Sequence, residues 1–123
     1  MNMKESGEMY LESILVLSEE QKNVRSVDIC RYMHYSRPSV SRAVGLLKDE
    51  GYITVDEEGY IRLTETGRCI ATSIYERHRV IAESLIKLGV CAETASADAC
   101  RIEHVISAES FHAIKSHLER IGL

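Results

Sequence analysis

The 123-residue chain has no tryptophan, one phenylalanine and one proline. A chain with so few helix-breaking prolines and large aromatic residues is expected to be compact and mostly helical, with short loops. No apolar run approaches the roughly 20 residues that a membrane-spanning helix needs. The first ten residues, MNMKESGEMY, also lack the apolar centre of a signal peptide. We therefore expect a cytoplasmic protein without a membrane partner.

The four cysteines, Cys30, Cys69, Cys91 and Cys100, form no Cys-x-x-Cys pair and lack zinc-finger spacing. In a reducing compartment such residues are usually small apolar side chains of the core. The exception is Cys100, which is followed by other residue types that bind metals.

The net charge of −4 argues against nucleic-acid binding when it is considered alone. Its distribution along the chain is more informative than its total. Between Arg25 and Lys48 there are five basic residues and a single acid, Asp28, so this segment is locally basic.

Hydrophobic periodicity predicts a winged helix-turn-helix in residues 1–63. In chain order the predicted elements are a helix at 4–21, a helix capped by Ser26, a turn at 34–36, a helix from Ser36 to Gly51, and strands at 52–55 and 60–63. The two strands and the turn between them form a β-hairpin, the wing. Two helices and a hairpin in this order are typical of winged-helix domains.

Residues 64–123 are predicted to be helical and to form a second region. The helices are expected at 65–88, 94–106 and 108–121. The last one has a narrow apolar stripe that could pack on its own domain or on a second copy. Phe111, Ile114 and Leu118 of this stripe are candidates for a dimer interface. The fold class is therefore mainly α, a winged helix-turn-helix followed by a helical region.

The second helix of a helix-turn-helix enters the major groove with its N-terminal residues at the base edges. Arginine can bond guanine through two hydrogen bonds, and serine can contact bases or phosphates. The candidate DNA-binding residues are Arg25, Ser36, Arg37, Pro38, Ser39, Ser41, Arg42 and Lys48. A winged helix can also dock another protein, so that alternative stays open.

Cys100, Glu103 and His104 carry side chains that commonly bind first-row metals. Their i, i+3, i+4 spacing would place them on one face of a helix. The alternative is that they are a core cysteine and two ordinary surface residues.

Three further residues favour the metal site. His78 takes a position in the apolar stripe of the 65–88 helix where leucine or isoleucine is expected, although a core histidine is the plain alternative. Met9 and Glu12 lie one turn apart on the first helix, beside apolar residues. Three helices thus supply ligands that could converge.

Several stretches of the chain resemble the diphtheria-toxin-repressor family of metalloregulators, including its short manganese-sensing branch. They are Glu8–Glu12, Ser39–Ser41, Leu63–Arg68, His78–Arg79 and Ala99–Val105. The resemblance covers essentially the whole chain. It implies a homodimer that binds a palindromic DNA operator when it carries divalent iron or manganese.

This resemblance also implies ligands. Met9, Cys100, Glu103 and His104 match the activating metal site of the iron-responsive members, and His78 matches a metal-binding histidine of both branches.

The chain combines features of the two branches. Glu12 matches a carboxylate ligand of the manganese branch, whereas Met9 and Cys100 stand where that branch has carboxylates. Ser96 replaces a histidine of the iron-responsive members, and Ala82 stands where a glutamate is expected. The chain has no match to the SH3-like domain of longer members, as in the compact branch.

A thioether and a thiolate fit manganese poorly, so ferrous iron is the expected cofactor and manganese the alternative. A cation would cancel the repulsion among Glu12, Glu103 and a Cys100 thiolate and would tie the first helix to the 94–106 helix. The two recognition helices of a dimer would then be held about one DNA turn, roughly 34 Å, apart.

Three other functions are alternatives to a repressor. Cys100 and His104 could serve as nucleophile and base, but the sequence has no oxyanion-hole or Gly-rich motif, so we expect no enzyme activity and no small organic substrate. A winged helix that needs no metal and responds to oxidation of Cys100 or to a protein partner stays open, as does a purely structural module.

Overall fold

A computed structural model describes residues 5–121. The described elements are α1 (Glu5–Glu20), α2 (Ser26–Met33), α3 (Arg37–Asp49), β1 (Ile53–Val55), β2 (Ile61–Leu63), α4 (Glu65–Lys87), α5 (Ala92–Ile102) and α6 (Ala108–Arg120). The mainly α fold class is confirmed. The predicted start of the first helix at residue 4 lies outside the described residues. Among the described helices, none is both long and apolar enough to cross a membrane.

By its internal contacts the chain divides after Thr72 into two compact units. The first unit has a core to which α1, α2, α3 and both strands contribute. Its fully buried side chains include Leu11, Ile14, Val24, Ile29, Val40, Ile53 and Ile61. Ala71 of α4 belongs to the same core. The first unit therefore extends beyond residue 63, where the sequence analysis divided the chain.

The helix-turn-helix is fixed by local capping. Arg25, not Ser26, is the N-cap of α2, and its backbone N–H donates to the Asp28 carboxylate at 2.8 Å. The helix ends at His34, whose φ of 59° is left-handed and turns the chain sharply. The Ser36 hydroxyl then caps α3 by accepting a backbone N–H of its first turn. The predicted helix-turn-helix is confirmed, with a different cap on α2.

The wing is a short antiparallel hairpin in which Ile53 pairs with Leu63. The Ile61 backbone N–H also donates to the Val24 carbonyl at 2.7 Å, which ties the hairpin to the segment before α2. In the turn, the Asp56 carboxylate accepts two backbone N–H groups. The hairpin predicted from alternation is therefore present.

The second unit contains the rest of α4, together with α5 and α6. Its core consists of Val80, Phe111 and Leu118, with Ile106 and Ile114 packed against them. The apolar stripe of the last helix thus covers α4 within one chain.

Candidate metal centre and nucleic-acid interface

The segment that carries the predicted ligands is less helical than the sequence indicates. The expected helix was 94–106, but α5 ends at Ile102 and Glu103 is its C-cap. His104 lies in the turn that follows. The prediction that Cys100, Glu103 and His104 share one helix face is therefore wrong for His104, because the backbone leaves the helix before it.

Three of the predicted ligands still meet in the second unit. The donor atoms of His78, Cys100 and Glu103 all lie within 4.8 Å of one another. His78 comes from α4 and Cys100 from the last turn of α5. The Nδ1 atom of His78 is 2.9 Å from Oε2 of Glu103, whose side chain is 0% exposed.

The second carboxylate oxygen of Glu103 faces a different neighbour. Its Oε1 lies 3.3 Å from Nε2 of His104. Within residues 5–121, no hydrogen bond of good geometry reaches this oxygen. A buried carboxylate costs several kcal/mol unless positive charge or hydrogen bonds compensate it. Glu103 is thus the centre of the cluster, because one carboxylate oxygen lies beside His78 and the other beside His104.

This donor set fits a divalent transition metal. Imidazole nitrogen, thiolate sulfur and carboxylate oxygen are ordinary ligands of first-row metal ions. A bound cation would compensate the buried negative charge of Glu103. The cluster is therefore a candidate metal centre.

The other ring nitrogen of His78, Nε2, lies beside a serine hydroxyl, which binds metal ions more weakly than an imidazole does. Nε2 lies 3.4 Å from the Ser96 hydroxyl, the residue that replaces a histidine in the resemblance. The structure thus places a neutral hydroxyl beside His78, at the position where the resemblance implies a histidine in the iron-responsive members.

Sequence reasoning missed Arg77. Its Nη1 atom donates to the Ile106 carbonyl at 2.9 Å and, more weakly, to the Glu103 carbonyl at 3.4 Å. The guanidinium also lies 5.6 Å from the centre of the Phe111 ring. The one available signal was its place next to His78, which alone does not separate it from a surface cation.

Met9 and Glu12 lie on α1 in the first unit, one turn apart, and both are half-buried. The backbone carbonyl of Met9 accepts a hydrogen bond from the Ser13 hydroxyl at 2.8 Å. Their role as metal ligands stays a prediction from the sequence.

The predicted DNA-reading surface is available on the first unit. The buried residues of α3 are Val40, Val44 and Leu47. Every residue predicted to contact DNA is exposed, namely Arg25, Ser36, Arg37, Pro38, Ser39, Ser41, Arg42 and Lys48. The helix therefore presents a polar, basic surface opposite its core face.

The wing adds charges of both signs near this surface. Arg25 and Arg62 both stack against Tyr60, at 4.8 Å and 5.9 Å from its ring centre. Arg62 is a cation that the sequence analysis did not select, and it also pairs with the Asp56 carboxylate at 3.0 Å. The wing turn, 56–58, is acidic.

The predicted dimer interface needs correction. Phe111 and Leu118 are 4% and 2% exposed and pack inside their own unit, so neither offers a surface to a partner. Beside them runs an apolar groove of about 470 Å³. Its lining includes Leu85, Leu88 and Ile114.

A helix-turn-helix with a hairpin wing, followed by a helical unit that gathers imidazole, thiol and carboxylate groups, defines a winged-helix protein with a candidate metal-binding unit. The family model for the N-terminal DNA binding domain of iron dependent repressors matches residues 2–61. The model for their metal binding and dimerisation domain matches residues 64–122. The chain belongs to this family of iron-dependent repressors, which are DNA-binding regulators rather than enzymes.

Individual relatives agree with this assignment. The iron-dependent repressor IdeR of Mycobacterium tuberculosis is 34% identical over 104 residues, which cover 84% of this chain and 45% of the relative. The diphtheria toxin repressor of Corynebacterium diphtheriae is 33% identical over 88% of this chain and 48% of its own length. The chain thus spans less than half of these two relatives. An HTH-type transcriptional regulator of Methanocaldococcus jannaschii is 30% identical over 96% of both chains.

Solved structures show the same fold. The manganese regulator SloR superposes with a TM-score of 0.82 and 29% identity over 97% of this chain and 55% of its own. A manganese-dependent transcriptional repressor in complex with manganese gives a TM-score of 0.84 at 25% identity, over 92% of this chain and 53% of its own.

Proposed function

We propose that this chain is a metal-responsive transcriptional repressor that binds operator DNA as a dimer when it holds divalent iron. The observation that carries the proposal is the buried Glu103 carboxylate beside His78 and Cys100. Family membership supports the regulatory role. The chromosome that such a repressor binds lies in the cytoplasm, which agrees with the predicted location.

The thiol of Cys100 is the reason for choosing iron. Relatives and structural neighbours carry the names of both iron and manganese regulators, so similarity alone leaves the metal open. Manganese prefers oxygen ligands, whereas thiolates favour softer ions. A manganese-responsive repressor is the second candidate, and the overlap with the manganese complex supports it.

The side chains of the centre would act as follows. His78 would offer a ring nitrogen, Glu103 a carboxylate oxygen, and Cys100 would lose its proton as it binds. The bound cation would supply the positive charge that the buried carboxylate needs. We retain Met9, Glu12 and His104 as further proposed ligands.

The exposed face of α3 would enter the major groove. Arg37 and Arg42 would reach the base edges, while Lys48 would neutralise phosphate charge near the end of the helix. The serines of the first turn would contact phosphates or bases.

For the dimer, we propose that a second copy covers the apolar groove of the second unit. Leu88 is 82% exposed at its rim, and an exposed leucine next to an apolar groove is typical of an association surface. Ile114 thus stays an interface candidate, and Leu88 takes the place of Phe111 and Leu118. Leu88→Glu is expected to give a monomer in sedimentation velocity, and an unchanged dimer would reject this surface.

The function is tested by fluorescence anisotropy with a DNA duplex selected from a random pool by the metal-loaded protein. Affinity is compared anaerobically with ferrous iron, with manganese and with chelator, at one salt concentration. We expect ferrous iron to strengthen binding at least about tenfold, which equals about 1.4 kcal/mol of coupling.

Cysteine variants make the test specific for the centre. Cys100→Ala should abolish the iron response, whereas Cys69→Ala, an exposed cysteine of the first unit, should leave it intact. A response to manganese alone would keep the repressor and overturn the choice of iron. Binding that is equal with metal and with chelator would reject metal control.

A further inference from the structure

The Arg77 side chain spans the turn that carries two of the predicted metal ligands. Its Nη1 atom donates to the carbonyls of Glu103 and Ile106, the residues that begin and end this turn. The neighbouring residue on α4, His78, contacts the side chain of Glu103. Consecutive residues of α4 therefore hold Glu103 by its backbone and by its carboxylate.

The turn needs such a contact because α5 ends there. The last carbonyls of a helix have no partner within the helix, and the negative end of its dipole points towards them. The segment between Ile102 and Ser107 has no glycine or proline to fix its shape. A guanidinium that donates to two of its carbonyls satisfies these groups and restricts the backbone.

We infer that Arg77 is a positioning residue for the metal centre, which sets the 103–106 turn so that Glu103 and His104 face their metal. The inference rests on the proposed metal-binding function. Stacking on Phe111 holds the guanidinium in place, since its ring centre lies 5.6 Å away. Residues that orient ligands in this way typically change metal affinity by about 10–100-fold when they are replaced.

Charge and positioning predict opposite effects for Arg77. A cation close to the centre would repel a metal ion, so its removal by charge alone would tighten metal binding. If Arg77 positions the ligands, its removal must weaken binding despite the lost repulsion. The sign of the change therefore distinguishes the two roles.

The test measures binding of Co²⁺ and Mn²⁺ by calorimetry, together with the thiolate-to-cobalt absorption band. We compare Arg77→Met, which keeps an apolar stem over Phe111, with Arg77→Lys, which keeps the charge and can still donate to a carbonyl. Lys115→Met is the matched control, because it breaks the 3.0 Å ion pair with Glu76 between α4 and α6 without touching the turn.

We expect Arg77→Met to weaken metal binding by about tenfold or more and to reduce the cobalt band, with Arg77→Lys recovering most of the loss. Lys115→Met should bind like the parent protein. In the metal-free protein, the amides of Val105 and Ile106 should exchange hydrogen faster in Arg77→Met. Arg77→Gln replaces the methionine variant, with the same expected loss, if that variant does not fold.

Equal or tighter metal binding by Arg77→Met would overturn the inference while leaving the proposed function standing. A similar loss in Lys115→Met would also overturn it, because the effect would then reflect general destabilisation of the unit. Absence of metal binding by the parent protein would reject the proposed function, and the inference with it.

Discussion

His78 and Glu103 meet at 2.9 Å between Nδ1 and Oε2, and the carboxylate of this pair is fully buried. We predict that Glu103→Gln weakens metal binding by at least about 100-fold, or about 2.7 kcal/mol, because the amide removes the negative ligand. The metal-free variant should be more stable than the parent by on the order of 1 kcal/mol, since a buried charge is lost.

Calorimetric metal titration and thermal unfolding in chelator measure the two effects of Glu103→Gln separately. Glu119→Gln, an exposed acid of α6, is the control and should change neither quantity. Unchanged metal affinity in Glu103→Gln would contradict its role as a ligand.

A second prediction concerns Gly67, where an added β-carbon would overlap the backbone carbonyl of Tyr52. The start of α4 is tied to the same place, because Thr64 donates through its backbone N–H to Tyr52 at 3.0 Å and through its hydroxyl to Gly51 at 2.7 Å. Gly67→Ala should therefore lower the free energy of unfolding by about 1–3 kcal/mol.

The control for Gly67→Ala is Gly45→Ala. Gly45 is an exposed helical residue of α3 with nothing within 4 Å of an added β-carbon. This substitution should raise stability by about 1 kcal/mol through helix propensity. Urea unfolding measures the free energy of unfolding of both variants. A rise for Gly67→Ala as large as that for Gly45→Ala would show that the backbone near Tyr52 moves away from the added β-carbon with no loss of stability.

Local signals predicted the winged helix-turn-helix well. Ser36 and Pro38 mark the start of α3 at the positions that the structure gives. Gly51 and Gly59 adopt φ values of 85° and 83°, so the glycines that punctuate the pattern are those whose conformation disfavours other residues. The sequence predicts these boundaries correctly because the capping and turn residues that set them lie within a few residues of the boundary itself.

The end of α5 could not be predicted in the same way. Residues 103–106 contain neither glycine nor proline, so local propensity extends the helix. In the structure this turn is contacted by Arg77 and His78, which are distant in sequence, and local propensity does not report such contacts. The prediction that Phe111 and Leu118 form a dimer interface was wrong for a related reason. Hydrophobic periodicity shows which face of a helix is apolar but not which part of the protein covers it.

The pH dependence of the wing is a third prediction. Hydrogen bonds from the Tyr60 backbone, the Arg62 side chain and the Glu58 backbone hold the pKa of Asp56 below its ordinary value. A lowered folded-state pKa stabilises the fold above the unfolded pKa, near 4, and this contribution is lost as the pH falls through the folded value. Asp56→Asn should therefore destabilise the protein at pH 7 and less so as the solution is acidified.

Urea unfolding of the parent and Asp56→Asn at several pH values between about 7 and 3 measures this convergence. Glu57→Gln changes a charge in the same turn, but among residues 5–121 no backbone N–H of the turn donates to the Glu57 carboxylate, so its effect should be small at every pH. A constant difference between Asp56→Asn and the parent across this range would show that the titration of Asp56 does not contribute.

The last prediction separates base reading from phosphate binding on α3. Arg42 and Lys48 are both exposed, but Arg42 lies in the N-terminal half of the helix and Lys48 in its last turn. At saturating metal, Arg42→Ala should weaken binding to the selected duplex by about 1–3 kcal/mol and weaken binding to random DNA by less.

Lys48→Ala should weaken binding to both duplexes to a similar extent and reduce the slope of log affinity against log salt by about one. Anisotropy titrations at several salt concentrations measure both effects, with Arg120→Ala, which removes an exposed cation of α6, as the charge-matched control. Equal losses on both duplexes for Arg42→Ala would mean that this arginine contacts phosphate, and the bases would then be read by Arg37 and the serines of the first turn.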